Sequence, residues 1–163
     1  MAATKDLTKS EIDKFLETNL HGILSMVGNK PYGLPMGYYY KKKTVLLGLM
    51  PTGRKMKYLD ASRNICFTIC KPRWETNKLK NSCTSIVIEG SLEELKNKEK
   101  AILFYDLKAE IFDDIKEMIK LYKIKVSKMG TRKCTRKPCE LLTNKALMNR
   151  VALSKPGISA PEE

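Results

Sequence analysis

At 163 residues, with 42% hydrophobic and 30% charged side chains, the chain is sized for one domain with a single core. No apolar run approaches membrane-spanning length and Met1–Lys9 has no signal-type segment, so no membrane partner and a cytoplasmic location are expected. The balance of 31 Lys and Arg against 18 Asp and Glu gives a net charge of +13, which fits an anionic ligand, a nucleic-acid surface, or a Lys-rich background.

Residues 1–7 read as a loose terminus. Thr8 and Glu11 have capping-box spacing, and Ile12, Phe15, Leu16 and Leu20 recur at helical intervals, so a helix is expected there with Gly22 closing it. Its Phe15–Leu16 stripe should pack on one end of a sheet. His21 is the single histidine and is expected to be a helix-end cation. One histidine leaves little for a triad or a multi-histidine metal centre.

Three apolar runs follow, Ile23–Val27, Tyr32–Tyr40 and Thr44–Met50, separated by Gly28-Asn29-Lys30 and Lys41-Lys42-Lys43. Turn residues between β-branched and aromatic runs predict a three-strand antiparallel meander. Thr52–Ala61 predicts a short helix with Met56 and Leu59 facing inward and Thr52 as its N-cap. Ile65–Cys70 and Cys83–Ser91 predict the fourth and fifth strands, with Lys71–Ser82 as a loop whose Trp74 seals a core edge. The run Ile86-Val87-Ile88 predicts burial on both faces, as in a central or dimer-facing strand.

Helices are expected over Glu93–Leu107 and Ile111–Tyr122. Lys123–Lys137 has seven Lys and Arg, no acid and no amphipathic helical rhythm, and reads as a basic loop. It lacks aromatics, which argues against a single-strand stacking platform. Val151–Ser154 is the expected last strand and 156–163 a loose tail. The five cysteines lack disulfide-scaffold or zinc spacing and are expected to be reduced, with Cys66 and Cys70 as small buried residues on one strand face. No metal site is expected.

Two features carry chemistry. In Thr52-Gly53-Arg54-Lys55, two cations occupy a helix's first turn, where they oppose the helix dipole unless an anion binds the free N–H groups. A phosphate site and a solvated basic turn both fit. The second feature is Gly33, Gly37 and Gly48 inside strands, with Pro35 among them. Such residues mark a bulge, a barrel corner, an edge, or a close-lying flat ligand.

The stretches HGILSMVGNKPYGLPMGYYY, VLLGLMPTGRKMKYLDASRNICFTI and SCTSIVIEGSLEEL resemble the FMN-binding split-barrel family of pyridoxamine 5′-phosphate oxidase-like proteins. The nearest branch is the nitroimidazole-resistance type, and the likeness runs from Thr8 to Leu95. It implies one α+β domain over 1–163: a six-stranded antiparallel Greek-key split barrel, with an N-terminal helix and helices before the last strand. It also implies a homodimer with FMN, or a deazaflavin or other flavin, where subunits meet. The implied phosphate step is Gly53, Arg54 and Lys55. Pro35, Met36, Gly37 and Tyr38 would lie along the flavin ring, with Leu49 and Met50 beside it and Ser85 reaching in from the partner subunit. The implied activity is a flavin-dependent oxidoreductase passing electrons between a small-molecule donor and a flat acceptor. A non-catalytic flavin binder and a basic nucleic-acid module on the same barrel are the alternatives. Leu49-Met50-Pro51 stands where the branch usually has a histidine, so no substrate is assigned.

Overall fold

Thr8 opens the first helix with both halves of the predicted capping box: its hydroxyl accepts from the Glu11 N–H, and the Glu11 carboxylate accepts from the Thr8 N–H at 2.9 Å. These hydrogen bonds hold the Glu11 carboxyl below its ordinary value. The helix stops at Thr18, where the Asn19 side-chain amide donates to the Phe15 carbonyl. Gly22 is therefore not its terminator. It lies in the following strand against the Phe67 ring, which a Cβ there would strike at 2.5 Å.

The computed structural model describes residues 3–75, 80–107 and 118–136. In chain order the elements are β1 (Ala3–Lys5), α1 (Lys9–Thr18), β2 (His21–Met26), β3 (Tyr32–Gly37), β4 (Tyr39–Lys41), β5 (Thr44–Leu49), α2 (Arg54–Ala61), β6 (Asn64–Glu75), β7 (Lys80–Glu94), α3 (Lys98–Tyr105) and β8 (Lys120–Arg136). The fold is α+β, as expected, built on a curled antiparallel sheet. The expected six strands are eight among the described residues, seven on one path β3-β2-β6-β7-β8-β5-β4 and β1 attached to β8.

The meander expected over the first three runs is instead split. β3 pairs with β2 and β4 pairs with β5, but β3 and β4 do not pair and stand at the two ends of the path. Only Tyr38 separates them in sequence, so the curl brings the sheet's two edges within one residue of each other. Pro35 lies on the edge strand, opposite Ile23, where its missing N–H costs no ladder bond on the open side.

The N-terminal residues expected to be loose form β1, with Ala3 to Lys5 paired to Thr135 to Lys133. The loop expected over Lys71–Ser82 is mostly strand, since β6 runs to Glu75 and β7 starts at Lys80. The basic loop is likewise strand to Arg136, paired with β1, β5 and β7. Its Lys123-Ile124-Lys125-Val126 alternation is a period-2 signal that the density of lysine obscures. Three lysines of β8 neutralise acids: Lys120 with Glu94, Lys123 with Glu93 and Lys133 with Glu11. Of the first expected helix Lys98–Tyr105 remains, while Glu93 and Glu94 close β7. Residues 120–122 of the second expected helix open β8. Its remainder to 117, the Trp74 side chain, Cys139, Val151–Ser154 and the 156–163 tail lie outside the described residues.

The inner sheet face packs Leu24, Met26, Ile65, Phe67, Ile69, Ile86 and Ile88 with Leu16 of α1 and Leu59 of α2. Burial of each such side chain contributes about 1.5–3 kcal/mol. Ile86 and Ile88 are fully buried, whereas Val87 lies on the other face and is half-buried. The expected burial of both faces therefore holds for the inner one, with Val87 only half-buried on the outer. At Glu89/Gly90 the β7–β8 register shifts in a bulge. A Cβ on Gly90 would lie 2.2 Å from the Lys125 carbonyl oxygen, whereas one on Gly33 would meet nothing nearer than 3.5 Å. Gly90→Ala should therefore cost about 1–3 kcal/mol by denaturant unfolding, the range for overpacking. Gly33→Ala in the same assay should be near neutral, and equal losses would contradict this packing.

Candidate functional site

Leu49 ends β5, and Met50-Pro51-Thr52 carry the chain to α2. The N-cap of α2 is Gly53, not Thr52 as expected, because the chain enters the helix at φ 89°, a left-handed conformation that glycine adopts without a steric cost. Among the described residues no side chain caps this end, and no acid lies in its first turn. The end keeps backbone N–H groups and dipole charge available to an anion.

The two first-turn cations are placed differently. The Arg54 guanidinium donates to the Tyr58 hydroxyl at 3.0 Å and lies 4.6 Å over the Tyr32 ring and 5.4 Å from the Tyr58 ring. The two rings lean together at 5.0 Å. The hydrogen bond to the Tyr58 hydroxyl, and then Tyr32, hold Arg54 more firmly protonated. A guanidinium has five donors, so those not spent on Tyr58 remain for a ligand. The Lys55 ammonium donates to the Thr52 carbonyl at 2.7 Å, tying it back over the Gly53 turn.

Tyr32 is also the first residue of β3, so the arginine stands at the head of the edge strand. From there β3 runs through Gly33 and Leu34 to Pro35, about 10 Å along. Pro35 and Gly37 are exposed and Met36 is half-buried against the core. A Cβ on Gly37 would meet only the Leu20 carbonyl oxygen, at 3.6 Å. Among the described residues no packing requires glycine there, unlike at Gly22 and Gly90. Among the described residues nothing covers the strand on its outer side.

Other expected site residues fall elsewhere. The Tyr38 side chain is buried, its hydroxyl donating to the Leu16 carbonyl at 2.9 Å and its ring edge-on to Phe67. Leu49 is also core, so these two positions offer a ligand backbone only. Met50 is exposed beside the turn. Ser85 is half-buried on the outer face of β7, opposite Cys70 and Arg132. It lies toward the His21 end of the sheet, whereas Arg54 stands at the Tyr32 and Met26 end. Arg54 stands at the Tyr32 head of β3 and Pro35–Gly37 follow toward the strand's other end, while Ser85 lies on β7, three strands in from that edge.

The sequence reading missed the aromatic clamp of Tyr32 and Tyr58 on Arg54. Tyr58 follows Arg54 by one helical turn, a signal that was there to use. The Tyr32 contact depends on how α2 lies against the sheet and has no local signature.

The family model described as pyridoxamine 5′-phosphate oxidase matches residues 8–133, and the chain belongs to that family. No match exists among curated proteins. A FAD-binding protein from Mesorhizobium loti is similar in fold, with 19% identity, a TM-score of 0.66, and 83% of this chain and 100% of that one covered. A candidate 5-nitroimidazole antibiotic resistance protein from Bacteroides thetaiotaomicron has 20% identity and a TM-score of 0.63, covering 83% of this chain and 89% of that one. The FAD binding protein from Mycobacterium smegmatis has 17% identity and a TM-score of 0.60 over 81% of this chain and 100% of that one.

Burial raises the Tyr38 hydroxyl from 10.0 to about 12. Its neutral form is the native one, so its contribution is complete below pH 10 and is lost as pH rises toward 12. Stability should fall over that interval, and Tyr38→Phe should remove part of the fall. An unchanged alkaline profile by circular dichroism would contradict the assignment.

Proposed function

We propose that this chain is a flavin-binding oxidoreductase that holds FMN along β3, with the phosphate on the α2 N-terminus. The observation that carries this reading is the uncapped, acid-free first turn of α2, with Arg54 clamped at the head of a bare edge strand. Family membership and the flavin named for two of the fold relatives support it.

The residues present fit such a group. The N–H groups at Arg54 and Lys55, the guanidinium and the ammonium would receive the phosphate. Gly33 and Gly37 leave room for a flat ring against the strand, and Pro35 cannot compete for it with a ladder bond. When bound, the flavin supplies the two-electron chemistry. The chain's part is to orient the ring and set the field around it. There is no carboxylate from Leu34 to Lys57, so that field is positive and favours a more anionic, reduced ring. No general base is called for, and the exposed His21 is not assigned one.

In this reading Ser85 joins the site from a second copy that covers the outer face of the sheet. The outer row Pro35, Ile23, Thr68, Val87 and Gly130 runs straight across five strands. Ile23, second in the row, is 50% exposed, and such a flat, weakly polar row suits a two-fold interface.

Arg54→Ala and Lys55→Ala should each weaken FMN binding roughly ten- to a hundred-fold without unfolding the protein. Riboflavin, which lacks the phosphate, should bind equally to parent and variants. Gly37→Val should abolish binding of both flavins in a folded protein. Unchanged FMN affinity in all three would reject the site, and binding without donor-driven reduction would reduce the reading to a flavin carrier.

Val87→Asp should convert the dimer into monomers of native circular dichroism that bind flavin poorly. Ile86→Asp cannot serve, because Ile86 is core and the fold itself would fail. A parent protein of monomer mass by light scattering would refute the dimer.

A further inference from the structure

The outer face of the β6–β7 hairpin carries a pair of thiols that the flavin reading does not use. Cys70 pairs with Ser85 and Cys83 with Pro72, so the two cysteines are diagonal neighbours on adjacent antiparallel strands. Their sulfurs are 3.3 Å apart. Bonded sulfurs sit about 2.05 Å apart, so closure needs little more than an ångström of side-chain movement. Cys70 is exposed, not buried as its strand position led us to expect, while Cys83 is half-buried. Among the described residues no group of three ligating side chains is placed to hold a metal ion.

We propose that Cys70 and Cys83 form a reversible dithiol–disulfide site that reacts with small-molecule disulfides of the glutathione class. Cys70, open to solvent, attacks as the thiolate on one sulfur of the small disulfide. A mixed disulfide forms on Cys70 and one small thiolate leaves with the electron pair of the broken bond. Cys83 then gives up its proton to solvent and attacks the Cys70 sulfur. The second small thiolate leaves, and the intramolecular bond is complete. Two protein thiols are oxidised, one small disulfide is reduced to two thiols, and an excess of small thiol drives the reverse.

The asymmetry of the pair suits this order. Burial, then the adjacent Cys70, raises the Cys83 thiol to about 11, so the exposed Cys70 is the first of the two to react. The bond would tie β6 to β7 beside Ser85, on the hairpin-end side of the Thr68–Val87 row. Oxidation would therefore stiffen the strand that presents Ser85 without passing through the proposed interface row. Cys134, directly opposite Cys83 across β8, is the competing partner.

The test treats the reduced, folded protein with oxidised glutathione, alkylates the remaining thiols and maps the peptides by mass. The expected product links Cys70 to Cys83 within one chain, protects both from alkylation, raises the thermal midpoint and is undone by dithiothreitol. Cys83→Ser should stop at a stable glutathione adduct on Cys70, and Cys70→Ser should form no bond within the hairpin. A Cys83–Cys134 link, a link between chains, or full alkylation of both thiols in the parent protein would each overturn the proposal. The assay needs no bound flavin, so its failure leaves the flavin reading untouched, and the reverse also holds.

Discussion

One residue ties the two edges of the sheet together. Tyr38 sits between β3 and β4, the terminal strands of the seven-strand path, and it is fixed from several sides. Its N–H donates to the Leu20 carbonyl at 3.1 Å, its hydroxyl to the Leu16 carbonyl, and its ring packs edge-on to Phe67. The helix α1, the inner face of β6 and both sheet edges thus converge on one side chain. This anchor sets the curl of the sheet. It also leaves β3 as an edge that no other strand of the described chain covers.

The candidate site depends on that open edge. β3 begins at Tyr32, and Tyr32 with Tyr58 holds the Arg54 guanidinium at the strand's head. The turn before Arg54 needs a left-handed residue, and Gly53 supplies it. The Leu49–Gly53 link to β5 therefore places a cation pair and an uncapped helix end beside a bare strand. Three separate local features, none strong alone, reinforce one another because the sheet curls.

Much of this was legible in the sequence where a local rule had a local answer. The capping box at Thr8 and Glu11, the apolar runs of β2, β3 and β5, and the cation step at Arg54 and Lys55 were all readable residue by residue. What could not be read was which strands pair. The split of the expected meander depends on Tyr38 preferring the core to the sheet, and nothing in Tyr38-Tyr39-Tyr40 says which tyrosine turns inward. β8 was missed because lysines occupy its solvent-facing positions and hide its alternation, while Glu93, Glu94 and Glu11 neutralise three of them from other elements. β6 and β7 extend beyond their apolar centres because pairing with each other supports polar ends that propensity alone would leave as loop. The outer-face positions of Ile23 and Val87 were equally hidden, since strand alternation shows only that one face is covered.

The central claim is that the edge along β3 and the first turn of α2 together make an FMN site. The most direct measurement is the visible spectrum of the purified protein after saturation with FMN and removal of excess, followed by the mass of what is released on denaturation. The account predicts a yellow protein that retains about one FMN per chain. A colourless protein that retains no flavin would contradict it.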